Sequence, residues 1–238
     1  PDTFSLLPWS GENGICAQII CDVLLPDETP FGGDPRTTLK QALKRARKRG
    51  LEYKVGPEIE FFLLDRESLP DMKPHDAKSY FDLGVHSRAV KICQNTMRDL
   101  RFFGHQSNSY HHEVSNGQHE MDLSYNNALK IADGIISLKH ILRANARLEN
   151  FTVTFMPKPV MAVNGSGMHI HQSIADARGT NLFYDEKDSY NLSQLAYNFL
   201  AGQIKHARSL AAIVAPTVNS YKRLVPGFEA PVYICWGR

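Results

Sequence analysis

The hydrophobic pattern switches between a period of two and a period of 3.6 several times along the chain. Residues 13–24, "NGICAQIICDVL", alternate with Ile15, Ala17, Ile19, Cys21 and Val23 on one face, which predicts a strand. In the next segment Asp34 is an N-cap and Pro35 takes the first helical position. Leu39, Ala42, Leu43 and Ala46 form a stripe, and basic residues precede Gly50, so this stretch predicts a helix. "LEYKV" and "EIEFFLL" predict two strands separated at Gly56-Pro57. Residues 65–79 are polar and read as a loop. Helical spacing returns over 86–103, about 126–148 and 191–213. Between the last two lie "FTVTF", the histidine-rich run "MAVNGSGMHIHQS" and a polar turn at 176–180. Pro226-Gly227 predicts a loop over 219–230, and the closing "PVYICWGR" reads as strand-like. Strands and helices mix without regular βαβ alternation, which points to an α+β fold with a largely antiparallel sheet.

A chain of 238 residues with 42% apolar composition can bury a sizeable core. Its net charge of +2 gives no reason to expect nucleic acid or a membrane surface as partner. The basic run at 44–49 reads as a solvated helix face complementing the dipole. No apolar run approaches the roughly 18 residues of a membrane span, and no signal peptide is visible. Cys16, Cys21, Cys93 and Cys235 lack metal-ligand spacing and read as reduced thiols, so a cytoplasmic location is expected. The chain starts at Pro1 and ends in an apolar run, which is expected of a piece of a longer protein.

The candidate chemistry lies in four blocks. In "GPEIEFFLL", Glu58 and Glu60 share a strand face about 7 Å apart. Like carboxylates in a partly buried setting need something positive between them, either Arg/Lys salt bridges or a bound cation. In "HHEVSNGQHEMDL", a strand, an Asn-Gly turn and a second strand bring Glu113 near Glu120. Two such pairs suggest hard cations, Mg²⁺ or Mn²⁺. In "NGSGMHIHQS", His169, His171 and Ser173 share a face, as one metal ligand beside an anion partner. Zinc competes there only if several histidines complete a tetrahedral set. The loop "NSYKRLVPGFEAPVY" carries Lys222, Arg223 and Glu229; its arginine can grip a carboxylate or phosphate, or the loop is plain charged surface.

Taken in order, "GPEIEFFLL", "HHEVSNGQHE", "FMPKP…NGSGMHIHQS" and "NSYKRLVPGFEAPV" resemble the successive signatures of the glutamine synthetase family, type I-like form, over most of residues 1–232. The resemblance implies a half-barrel sheet flanked by helices. Residues 1–24 would be a remnant of an N-terminal β-grasp domain, and 25–238 a catalytic domain truncated at its C-terminal end. It implies that ATP phosphorylates the side-chain carboxylate of glutamate and that ammonia then displaces phosphate to give glutamine. Two or more Mg²⁺ or Mn²⁺ ions would assist. Glu60, Glu113 and Glu120 would hold the cation near glutamate, and Glu58 with His169 the one among the ATP phosphates. His171, Ser173 and Tyr125 would meet ATP; Asn164 and Gly165 the amino acid, and Arg223 its carboxylate. Glu229 would shield the acyl phosphate, and Tyr80 would stand near the ammonium. Asn108 stands where many members carry a glutamate. The family's ring of subunits implies a homo-oligomeric parent, and the missing ends imply little activity for this chain alone. A ligase for polyamines or ethanolamine, a non-catalytic relative and a two-metal hydrolase are the competing expectations.

Overall fold

The computed structural model describes residues 3–11 and 14–237, with side chains from Gln18 onward. A hairpin of β1 (Thr3–Gly11) and β2 (Gly14–Ile20) leads into α1 (Pro35–Arg47). Asp34 caps α1 by accepting from the backbone of Arg36 and Thr37, as the sequence predicts. The helix is then tied down at Arg36, whose Nε and second guanidinium nitrogen each reach an Asp133 oxygen at 3.0 Å.

The frame of the fold is β3 (Glu52–Asp65), a 14-residue strand shared by four antiparallel partners. α2 (Arg88–Phe102) follows it, then the hairpin of β4 (Ser107–His112) and β5 (Gln118–Leu123). β6 (Asn126–Asn127) runs directly into α3 (Ala128–Leu148), and β7 (Phe151–Thr154) precedes β8 (Met168–Ala175). One edge of β3 pairs with β8 over 52–59 and with β7 over 62–65. The other pairs with β6 at 54–55 and with β5 over 58–62, while β4 lies outside β5. The odd-numbered residues Val55, Ile59, Phe61 and Leu63 join Ile92, Cys93 and Leu100 of α2 and Ile131, Leu138 and Leu142 of α3 in one buried cluster. α4 (Gln194–Val214) and α5 (Val218–Arg223) complete the elements; only Ala196 of α4 is buried.

Several expectations change. The strand foreseen over 13–24 is β2, ends at Ile20 and has β1 as its partner. Asn13 and the side chains of Ile15 and Ala17 lie outside the described residues. The two strands foreseen around Gly56-Pro57 are one. Leu63 donates its N–H to Gly117 toward the β5 edge, while Glu60 donates to Gly167 on the other side. Position 57 therefore aims toward the β5/β6 edge, in the gap between the two paired stretches, where a missing N–H breaks no ladder bond. The loop foreseen over 65–79 contains one short 3₁₀ turn, Arg66–Ser68. The loop foreseen over 219–230 begins as a helix, because Thr217 and Ser220 form a reciprocal capping box. Residues 231–237 form no strand.

Leu138 is fully buried between the helices and the core face of β3. Leu138→Ala is expected to cost about 2–5 kcal/mol in denaturant unfolding. Divalent-cation uptake by the folded fraction should be unchanged, because the carboxylates occupy the opposite sheet face.

Candidate functional site

Strand alternation sends Lys54, Gly56, Glu58 and Glu60 to the face away from the helices. Register does the rest, because directly opposed residues share a face. On β8, His169 lies opposite Glu58, His171 opposite Gly56 and Ser173 opposite Lys54. On β5, Glu120 lies opposite Glu60 and Asp122 opposite Glu58, and His111 of β4 lies opposite Glu120. Glu113 extends β4 by one step, its N–H donating to Gln118 at 2.8 Å.

The contacts on this face are carboxylate to imidazole. His169 Nδ1 is 3.1 Å from Glu58, and His171 Nε2 is 2.5 Å from the other Glu58 oxygen. His111 Nε2 is 2.8 Å from Glu113 and 3.8 Å from Glu120. Glu60 accepts from Gln118 Nε2 at 2.9 Å and from the Gly167 N–H at 3.1 Å. Among the described residues no lysine or arginine forms a salt bridge with Glu58, Glu60, Glu113 or Glu120.

Glu60 and Glu120 are 8% and 7% exposed. Burial, with the charges of Asp122, Glu58, Glu113 and Glu60, pushes Glu120 up to about 8. Burial also raises Glu60, opposed by the Gly167 N–H and by His169 and Arg223. Burial raises Glu58 as well, but hydrogen bonds from His171 and His169 outweigh it and hold its carboxyl below the ordinary value. On this face two trios have ligand atoms within 4.8 Å of one another: Glu58, Glu120 and His169, and His111, Glu113 and Glu120. Mostly carboxylate, each with one imidazole, they fit a divalent cation of the Mg²⁺ or Mn²⁺ type, which would relieve the repulsion that raises Glu120.

Loops close over one end of this face. A Cβ on Gly165 would stand 2.0 Å from the Pro157 carbonyl oxygen, so no other residue fits. A Cβ on Gly167 would meet the Arg223 guanidinium at 2.7 Å and Glu60 at 3.3 Å. Arg223 is thus packed behind the glycine loop, 9% exposed, with its Nε lacking a hydrogen-bond partner. Asn164 Nδ2 donates to Glu229 at 2.7 Å, joining that loop to the segment after α5. Lys158 adds a second clasp: its N–H donates to Asn219 at 2.7 Å, and its ammonium lies 3.8 Å from the Phe228 ring centroid. Tyr80 is exposed and meets the rings of Phe81 and His111 at 4.6 and 5.7 Å. Desolvation and the charges of Glu113, Glu120, Glu229 and Glu58 raise its hydroxyl. At the far end Tyr125 donates to Ser173 at 3.4 Å, with Lys54 Nζ 5.7 Å from its ring centroid. Asn108 accepts from Ser124.

The structure therefore brings Glu58, Glu60, Glu113, Glu120, His169 and His171 onto one patch and sets Asn164, Gly165, Arg223 and Glu229 at its closed end. Ser173 and Tyr125 stand apart from these, toward Lys54. Sequence reasoning missed His111, Gln118, Asp122 and Lys158. Period-two counting from Glu120 marks Gln118 and Asp122. His111 needed the β4–β5 register, and Lys158 carries no local signal.

Two measurements probe this geometry. The fold favours the protonated form of Glu120, so its contribution to stability is full below about pH 4.5 and is lost as pH rises through about 8. In chelator-treated protein the melting temperature should fall by about 5 °C or more over that interval. Glu120→Gln should flatten the fall, and added Mn²⁺ should reverse it. Gly165→Ala is expected to destabilise by about 1–3 kcal/mol or more in denaturant unfolding, because backbone rather than a movable side chain blocks the new methyl.

Residues 32–238 match the family model described as glutamine synthetase, catalytic domain. The chain is 44% identical over 239 residues to a glutamine synthetase of Halobacterium salinarum, covering 99% of this chain and 53% of that protein. It is 45% identical over 238 residues to one from Methanocaldococcus jannaschii, covering 98% and 52%. The cryo-EM structure of Plasmodium falciparum glutamine synthetase superposes with a TM-score of 0.84 at 30% identity, over 95% of this chain and 50% of that one. The chain spans about half the length of the curated relatives it matches. With the family model covering nearly all of the sheet and both carboxylate trios, the chain belongs to the glutamine synthetase catalytic-domain family.

Proposed function

We propose that the protein to which this chain belongs joins ammonia to the side-chain carboxylate of glutamate, coupled to ATP cleavage, through a γ-glutamyl phosphate. The observation that carries the reading is the sheet face on which Glu58, Glu60, Glu113 and Glu120 converge with imidazoles and, among the described residues, with no lysine or arginine salt bridge. Bound Mg²⁺ or Mn²⁺ would supply charge neutralisation for phosphoryl transfer. Glu58 and His169 are assigned to the cation beside the ATP phosphates, and Glu60, Glu113 and Glu120 to the one beside glutamate.

The remaining roles are those the family resemblance implies, and the surroundings of each residue support them. Ser173 and Tyr125, with Lys54 above the ring, make a polar and cationic end suited to a nucleotide, and His171 lies between them and Glu58. Asn164 and Gly165 would orient the amino acid at the other end, with Arg223 held near them to meet its carboxylate. Glu229, anchored by Asn164, would cover the reacting carboxyl, keep water from the acyl phosphate and accept a proton from the incoming amine. Tyr80 would stand at the amine entrance, where neighbouring carboxylates favour a cation.

Residues 1–24 are assigned to a preceding β-grasp unit and 25–238 to the catalytic domain. The intact protein is proposed to work as a cytoplasmic ring of identical subunits. No helix among the described residues is long and apolar enough to cross a membrane.

Even indirect partners of a metal ligand are worth about 10–100-fold in affinity, so losing a direct one should cost at least about 100-fold. Glu120→Gln and Glu58→Gln are therefore expected to weaken Mn²⁺ uptake by this chain in calorimetric titration by at least that factor. The same substitutions in the full-length protein should abolish ATP- and glutamate-dependent amide formation. Hydrolysis that needs no ATP, with no amide formed, would replace the reading with a hydrolase. Faster turnover of putrescine or ethanolamine than of ammonium would change the amine.

A further inference from the structure

The two faces of the β4–β5 hairpin carry different donors. Glu120 and Asp122 look to the carboxylate face, while His119, and His112 opposite it on β4, look the other way. The segment after β3 lays His75 and Asp76 against them. His75 Nε2 lies 2.9 Å from His119 Nε2, with the two rings nearly parallel at 18°. Asp76 Oδ1 accepts the Gly117 N–H at 2.8 Å and lies 3.3 Å from His112 Nε2. Asp76 Oδ2 lies 3.3 Å from His75 Nε2, is buried and takes no hydrogen bond. The side chains of His75 and His112 are 5% and 3% exposed, and His119 is 5% exposed.

Donor counting leaves one acceptor of this cluster, Asp76 Oδ2, without a hydrogen-bond partner. His112 Nδ1 is 2.6 Å from the Glu113 carbonyl oxygen, which only accepts, so that nitrogen carries the hydrogen. Burial lowers the His112 imidazole, but its contacts with Asp76 and the Glu113 carbonyl outweigh this and raise it. His112 therefore favours the charged form, whose Nε2 donates to Asp76 Oδ1. His75 and His119 face each other through Nε2 at 2.9 Å, where either an N–H of one ring or a bound cation can lie between the two nitrogens. Asp76 Oδ2 is the orphaned third donor beside them.

We propose that His75, Asp76 and His119 form a second cation site, separate from the carboxylate face and selective for zinc over Mg²⁺. Two imidazole nitrogens and one carboxylate oxygen are a donor set that zinc favours and Mg²⁺ does not. Tetrahedral zinc with bonds of about 2.0–2.1 Å sets its ligand atoms about 3.3 Å apart. The His75–Asp76 distance already has that value. The two imidazole nitrogens need to separate by about 0.4 Å to reach the same spacing. The ion would sit off the line between them, toward Asp76 Oδ2. His112 and the Gly117 N–H brace Asp76 Oδ1, and the Glu113 carbonyl braces His112, the outer support that orients ligands at metal sites. An adjoining cavity of about 290 Å³, lined by Asp76, His112 and His119 together with Phe81 and Leu83, gives an entry path and room for a fourth ligand. The site would pin the loop after β3 onto the hairpin that carries Glu113 and Glu120.

Equilibrium dialysis of the 238-residue chain against Zn²⁺, in excess Mg²⁺ to fill the carboxylate face, tests this. Wild type is expected to retain one zinc per chain and to melt higher with it. His75→Gln and Asp76→Asn should lose that zinc and the rise in melting temperature, while Glu58→Gln keeps both. Should a variant fail to fold, Co²⁺ bound to wild type in Mg²⁺ decides the matter: a tetrahedral visible spectrum is expected, and an octahedral one overturns the site. Zinc lost on Glu58→Gln but kept on His75→Gln would place it on the carboxylate face. No zinc retained by wild type would leave a shared proton as the only occupant; either result overturns the proposal.

Discussion

Glu58, Glu60 and Glu120 stand on one patch of sheet, two of them less than a tenth exposed, and among the described residues no lysine or arginine salt bridge relieves their repulsion. Burying even one uncompensated carboxylate is expensive, and clustering several compounds the cost. The surroundings offset it with weak partners. Imidazoles approach from β8 and β4, and a side-chain amide and a backbone N–H reach Glu60. None of these neutralises the patch as a bound divalent ion would. The resulting tension is stored in a rigid element, which is what a cation site needs if its ligands are to be in place before the ion arrives.

β3 makes that rigidity possible. It is paired along both edges, and its other face is sealed under α2 and α3 by Ile59, Phe61 and Leu63, all at most 1% exposed. The free energy of the apolar face holds the acidic face together. Arg223 shows the same logic on a smaller scale. It is buried behind Gly165 and Gly167 beside Glu60, where a Cβ on either glycine would crowd it, at 3.3 and 2.7 Å.

Much of this was legible in the residues. Asp34-Pro35 marked a helix start, the Asn-Gly dipeptide marked the hairpin, and period two put Glu58 with Glu60 and His169 with His171. These signals are local, and local rules carried them. What stayed hidden depended on tertiary placement. Gly56-Pro57 read as a break because the gap in the neighbouring edge, which tolerates a proline there, is created by strands more than fifty residues away. Residues 219–223 read as loop because the capping box that starts α5 was outweighed by the Pro-Gly turn just beyond it. His111 entered the site by cross-strand register, and His75 meets His119 across 44 residues of sequence, neither of which a motif records.

The single strand β3 also bears on how such a protein can change. Because alternate residues serve opposite faces, inserting or deleting one residue within it would turn the carboxylates toward the helices and the phenylalanine and isoleucine side chains toward solvent. The irregular stretch after the strand can absorb length, but the strand cannot. Core and site are written in the same fourteen residues at alternating positions, so the history of one is locked in phase with the history of the other.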